Sequence, residues 1–152
     1  MGIAGTTNKK SVDIKYRLMI LYLHKKMKWR CFKMYDVACV GILVADVIAK
    51  TVDELPGKGK LGLINQLDLY TGGCAVNSGI ALARIGLKPA IVGKIGDDGF
   101  GKFIYNVLVE EKVNIDGLVV DPESSTSASV VLVDSSGERS FLHCLGSNAE
   151  FT

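Results

Sequence analysis

The chain has little of what would tie it to a metal, a redox cofactor or a membrane. Its four cysteines, Cys31, Cys39, Cys74 and Cys144, form no CxxC pair and no metal-ligand spacing. Only two histidines occur, His24 and His143, so neither a histidine–carboxylate metal cluster nor a Ser/His/Asp set has support. No N-x-Ser/Thr acceptor is present, and three of the cysteines fall in apolar runs where a thiol behaves as a small hydrophobe. These features point to a reducing, cytoplasmic setting. The run Leu18-Met19-Ile20-Leu21-Tyr22-Leu23 is far short of the ~20 residues that span a bilayer. No GxGxxG follows the first strand-like run, which leaves a dinucleotide site without support.

What is present is globular. A length of 152 residues suggests one domain, and 48% hydrophobic with 22% charged residues is enough for a substantial core. Charge is unevenly spread. Residues 1–34 hold nine Lys or Arg against one acid, Asp13, a net of +8; the other 118 residues hold nine basic and fifteen acidic residues, a net of −6. Nothing in that acidic body reads as a nucleic-acid surface. The first 34 residues read as a basic leader, disordered or outside the fold, with the folded domain at 35–152. Met1-Gly2-Ile3-Ala4-Gly5-Thr6 fits the myristoylation pattern, so a membrane-surface role for the leader is a competing reading.

The body begins with Asp36–Val44, a near-continuous apolar run that suits a central strand buried on both faces. Asp46 follows at its end among Val44, Ala45, Val47 and Ile48. An acid in that setting needs a partner, either a structural donor or a polar ligand. Residues 51–61 read as turns, and Leu63–Tyr70 as a weakly alternating exposed strand. Gly72-Gly73 then marks the passage into a helix, Ala75–Ile85, apolar nearly all round and so expected to be buried. Glycines there allow a tight strand-to-helix connection or let a ligand approach the backbone, and Asn77 lies one turn in. Gly79 inside the helix implies close packing on a sheet. Pro89–Ile95 reads as a buried strand and Ile115–Val120 as another. Between them Phe100, Phe103, Ile104, Val107 and Leu108 mark an amphipathic helix capped by Asp97 or Asp98. Ser129–Val133 and Arg139–Leu145 form a hairpin around Asp134-Ser135-Ser136-Gly137. Strands alternating with helices imply a parallel sheet with right-handed crossovers.

One stretch imitates a phosphate-binding loop. Gly96-Asp97-Asp98-Gly99-Phe100-Gly101-Lys102-Phe103 nearly matches GxxxxGK[ST] between a strand and a helix. Phe103 replaces the hydroxyl residue that would hold magnesium, and two aspartates stand where phosphates should sit. The reading that fits is an Asp-capped helix. His143, alternating within the hairpin, reads as a satisfied or exposed side chain.

Gly72-Gly73-Cys74-Ala75-Val76-Asn77, with Gly86 and then Gly96 downstream, resembles the first signature of the ribokinase-like (PfkB) carbohydrate kinase family. Tyr35–Gly41 with Asp46 resembles that family's first strand and sugar-binding aspartate. Gly137-Glu138-Arg139-Ser140-Phe141 and Gly146-Ser147-Asn148-Ala149-Glu150 resemble its later hairpin and GAN segment. Gly79 departs from the usual Ser, Thr or Ala. The resemblance covers about residues 35–152. It implies an α/β fold, a three-layer sandwich with a parallel central sheet and a small β lid, and transfer of the γ-phosphoryl group of ATP, with Mg2+, to a sugar hydroxyl. Carried over, Asp46 accepts hydrogen bonds from substrate hydroxyls, Gly72 and Gly73 let substrate lie against the backbone, and Asn77 binds another hydroxyl; Gly146 and Asn148 match more loosely.

The family's GAGD-type segment, which supplies the catalytic base and anion hole, is not found in the chain. The expectation is therefore a substrate-binding half, incomplete at the C-terminus and inactive alone, with catalytic base and ATP site elsewhere. The implied partner is a small-molecule sugar or nucleoside, and a homodimer through the lid is possible in this family. A nucleoside kinase fragment and a non-catalytic sugar-binding protein remain the alternative readings.

Overall fold

A computed structural model describes residues 34–150, and the expectations placed on residues 1–33 lie outside it. Among the described residues seven strands and two helices follow one another as β1 (Val37–Val40), β2 (Val44–Lys50), β3 (Gln66–Gly72), α1 (Cys74–Arg84), β4 (Pro89–Gly96), α2 (Gly99–Glu110), β5 (Asn114–Asp121), β6 (Ala128–Val133) and β7 (Arg139–Cys144), followed by a 3-10 turn, Gly146–Glu150. They make two sheets. The first is parallel, in the order β1-β4-β5, and the second runs β3-β2-β6-β7. In the second sheet β2 pairs antiparallel with β3 and parallel with β6, and β6–β7 is the expected hairpin.

The apolar run 36–44 is not one central strand. It breaks at Gly41, whose φ of +151° lies where side-chain-bearing residues are strained. A Cβ there would sit 2.9 Å from Cys74 Sγ. The chain therefore leaves the parallel sheet after Val40 and enters the second sheet at Val44. β4 is the central strand of the parallel sheet, β1 lies at its edge, and Asp46 sits inside β2 rather than at a strand's end. Continuous hydrophobicity predicts burial but does not reveal which sheet does the burying.

Helix α1 packs on β4 and β1, and α2 on β5 and β2. Leu43, Val76, Ile91, Ile95, Ile104 and Leu108 form the centre of the core, each at most 1% exposed. α1 is not buried all round: Ala75, Val76 and Gly79 are its buried residues, while Asn77, Ser78, Ala81 and Arg84 face outward. Gly79 packs as expected, since a Cβ there would meet Ile91 Cδ1 at 2.7 Å. The exposed flank is held by Arg84, whose Nε and Nη2 reach the Glu111 carboxylate beyond α2 at 3.0 and 2.5 Å.

Candidate functional site

The site grows from the point where the chain changes sheets. Antiparallel pairing sets Val44 opposite Gly72 and Asp46 opposite Tyr70. The Asp46 carboxylate lies over the Cα of Gly72, where an added Cβ would come within 2.9 Å of its Cγ and closer still to Oδ2. Gly73 follows with φ +89° and ψ 146°, and a Cβ there would press on the backbone of Ile42 and Leu43. Both glycines are required by close approach, and the second also by its dihedrals. Gly73 is the N-cap of α1 and no side chain caps that helix, so its first-turn N–H groups lack a side-chain acceptor.

Asp46 is half-buried, and its side chain makes no hydrogen bond or ion pair among the described residues. It lines a hollow of about 350 Å³ on one face of the second sheet, with Ile48, Lys50, Val131, Val133, Arg139 and Phe141. Register arranges that face in transverse rows. The first is Tyr70, Asp46, Ser129 and His143 across β3, β2, β6 and β7. Two residues along β2 lies Asp68, Ile48, Val131 and Phe141; two further lies Gln66, Lys50, Val133 and Arg139. Polar, largely apolar and cationic rows thus succeed one another on one surface. Ser129 and His143 were not among the expected site residues. They join Asp46 through strand register, which residue spacing does not reveal. The His143 ring is satisfied as expected, with Nδ1 3.0 Å from Ser129 Oγ.

Asn77 does not line this hollow. Its exposed side chain borders a second one of about 460 Å³ between β3, α1 and α2, with Tyr70, Thr71, Ile80, Arg84 and Phe103. Asn148 is engaged in the frame: its Nδ2 donates to Leu43 O at 2.9 Å and its Oδ1 accepts from Leu43 N at 3.3 Å. These bonds fix the link between β1 and β2, and so the entry to the strand that carries Asp46. Gly146 (φ +44°) lies against the 125–127 backbone, where a Cβ would come 2.9 Å from Ser127 N.

The imitation phosphate loop is closed. Asp98 is the N-cap of α2; its Oδ1 accepts from Gly101 N–H and the Thr126 hydroxyl, and its Oδ2 from Thr126 N–H, each at 2.8 Å. Burial acts to raise the Asp98 pKa. The N–H groups of Thr126 and Gly101, the Thr126 hydroxyl and the Phe100 N–H outweigh it and hold the carboxyl below the usual aspartate range. A carboxylate already fills the cradle. Among the described residues no group of three or more His, Cys, Asp or Glu could hold a metal ion. The loop at 96–103 thus does not fit a nucleotide phosphate. No described helix is long and apolar enough to cross a membrane.

A family model described as pfkB family carbohydrate kinase matches residues 34–152. A fructokinase of Vibrio alginolyticus is 42% identical over 79 residues, 52% of this chain and 26% of that protein. A fructokinase of Klebsiella pneumoniae is 35% identical over 100 residues, 65% of this chain and 31% of that protein. The structure of Arabidopsis thaliana ribokinase complexed with ribose and ATP superposes with a TM-score of 0.69 at 25% identity, over 75% of this chain and 37% of that one. The chain thus spans about a third or less of the curated relatives it matches.

Proposed function

The chain belongs to the pfkB carbohydrate kinase family, and we propose that the hollow on the second sheet holds the sugar of an ATP-dependent sugar kinase. One observation carries this reading: Asp46, half-buried over Gly72, presents a carboxylate without a protein donor among the described residues. A carboxylate in a mostly apolar hollow is a strong acceptor for sugar hydroxyls, and a few such groups orient a polyol. Gly72 makes the room for that carboxylate. Gly73 and the uncapped start of α1 offer backbone N–H groups to a second oxygen. Asn77, the other expected hydroxyl partner, borders the neighbouring hollow and not this one. Gly146 and Asn148 act through the frame rather than by contact, since the Asn148 amide is occupied by Leu43.

Phosphoryl transfer from ATP to the sugar needs a base and charge stabilisation around the γ-phosphate. The part we assign to the described residues is to bind and orient the acceptor sugar. Isothermal titration of D-fructose against the wild-type chain and Asp46→Asn tests this. Saturable binding that weakens about tenfold or more in the variant supports the reading, by the loss of a hydrogen bond to a charged group. Equal binding by both proteins, or none by the wild type, refutes it.

A further inference from the structure

We infer that Lys94 is a positioning residue for the sugar: gripped by Asp121 and Glu150, it fixes through Asn148 and Leu43 where the strand that carries Asp46 begins. The inference rests on the reading of Asp46 as the acceptor for sugar hydroxyls.

Among the described residues three clusters carry ion pairs, and one of them is unlike the others. Arg84 and Lys102 are 67% and 71% exposed, and pairs of that kind contribute little. The Lys94 side chain is 15% exposed; its Nζ meets Asp121 Oδ2 at 2.5 Å and Glu150 Oε2 at 3.2 Å. Asp121 ends β5 and is itself 18% exposed. Glu150 belongs to the 3-10 turn, and the Ser124 hydroxyl donates to the same Glu150 oxygen at 2.7 Å. An ion pair withdrawn from water holds its geometry, because parting the partners strands a charge in a poorly solvated place.

The turn is fastened to β4 twice, since Ser147 Oγ also donates to Lys94 O at 3.1 Å. Between those two anchors lies Asn148, whose amide clamps both backbone groups of Leu43. Leu43 directly precedes β2, and its Cδ1 fills the space over Gly93, the neighbour of Lys94 in β4. β4 thus reaches Leu43 by two routes: directly, by packing at Gly93, and through the turn that Lys94 holds. A shift of the turn moves Asn148, then the Leu43 backbone, then the start of β2. Asp46 has little slack to absorb it, because its carboxylate already lies against the Cα of Gly72. Lys94 lines neither hollow, so an effect on sugar affinity has to travel through these contacts.

The test is isothermal titration of D-fructose into the full 152-residue chain, comparing wild type, Lys94→Met, Lys94→Arg and Glu150→Gln, each alone and with Asn148→Ala. In Lys94→Met the Asp121 carboxylate still accepts from Glu123 N–H and the Ser124 hydroxyl, so it is not left without a donor. We expect Lys94→Met to weaken fructose binding about three- to thirtyfold. Lys94→Arg restores a cation able to meet both carboxylates and recovers most of that loss. With Asn148→Ala the clamp on Leu43 is already cut, and Lys94→Met then costs less than about twofold more. Without sugar, amide exchange in Lys94→Met accelerates at Val44, Ala45 and Asp46 and not in β7. Glu150→Gln, at a carboxylate 63% exposed, weakens fructose in the same way and carries the test if Lys94→Met does not fold.

Wild-type affinity in Lys94→Met or, where that variant does not fold, in Glu150→Gln overturns the proposal. So does a loss that Lys94→Arg does not recover, or one that is as large with Asn148→Ala as without it. Absence of fructose binding by the wild type, or equal binding by wild type and Asp46→Asn, is a failure of the sugar reading instead. The exchange measurement then still decides the role of Lys94, and unchanged exchange at Val44, Ala45 and Asp46 overturns it.

Discussion

The carboxylate of Asp46 occupies the space in which a side chain on Gly72 would begin. Acid and glycine lie on neighbouring antiparallel strands, and each position restricts the other. Gly73, one residue on, faces main chain instead: a Cβ there would stand 2.9 Å from Ile42 C and 3.2 Å from Leu43 Cα. The two glycines should therefore fail differently. Gly72→Ala can be relieved by rotating the Asp46 side chain, so we expect sugar affinity to fall tenfold or more with a stability loss of about 1 kcal/mol. Gly73→Ala meets backbone at a dihedral pair close to the region only glycine populates, at about 1–3 kcal/mol before the clash is counted. Urea denaturation and titration of both variants check the pair; equal stability losses would contradict the assignment.

Much of this arrangement is legible in the sequence, and the gaps have physical causes. The glycine pair, Asp46, the capped helix α2 and the β6–β7 hairpin follow from local chemistry: turn residues, a carboxylate amid hydrophobes, helical periodicity and a Gly-containing turn. The break at Gly41 does not, because residues 37–44 read as one apolar run and what decides is packing against Cys74, 33 positions away. Nor does the row joining Asp46 to Ser129 and His143, which exists only once β2, β6 and β7 are in register. Asn148 is the clearest case. Its motif suggests a ligand contact, and its amide is spent on a backbone 105 residues away.

Asn148→Ala should lower stability rather than abolish chemistry at a contact. Both bonds to Leu43 are lost, and Leu43 is fully buried, so its N–H and C=O are left poorly solvated. Each unsatisfied group costs about 1–3 kcal/mol. A drop of about 2–4 kcal/mol in urea denaturation is expected on that basis. Because the link leads directly into β2, amide exchange at Val44, Ala45 and Asp46 should accelerate while that of β7 does not. Uniform exchange across the second sheet would argue against a local clamp.

Asp98 predicts an acid limit with a definite sign. Its folded pKa is depressed, so it stabilises the fold above the ordinary aspartate value of about 3.9, and that contribution is lost as pH falls through the folded value. Asp98→Asn can still cap α2, but turns an NH2 group toward the Thr126 N–H that Oδ2 now accepts. We expect a loss of about 1–2 kcal/mol at pH 7 that begins to shrink below about pH 4, where the unfolded state's aspartate takes up its proton, and that closes once the folded carboxyl is protonated as well. Parallel denaturation curves from pH 7 to pH 3 measure it; a gap independent of pH would refute the assignment.

Gly79 and Ile91 form the last coupled pair. Alanine is favoured over glycine inside a helix by about 1 kcal/mol, so Gly79→Ala should stabilise α1 if nothing stood in its way. Something does: the new Cβ would lie 2.7 Å from Ile91 Cδ1, the far end of a flexible side chain, with Val113 Cγ1 at 3.6 Å. Gain and clash oppose one another, and the single substitution should come out within about 1 kcal/mol of wild type. Ile91→Val removes the offending methyl and alone costs about 0.5–1.5 kcal/mol. Combined, the two changes fill each other's space, so the double variant should be more stable than the sum of the singles by at least about 0.5 kcal/mol. Strict additivity in a double-mutant cycle would show that the helix does not meet the sheet at this point.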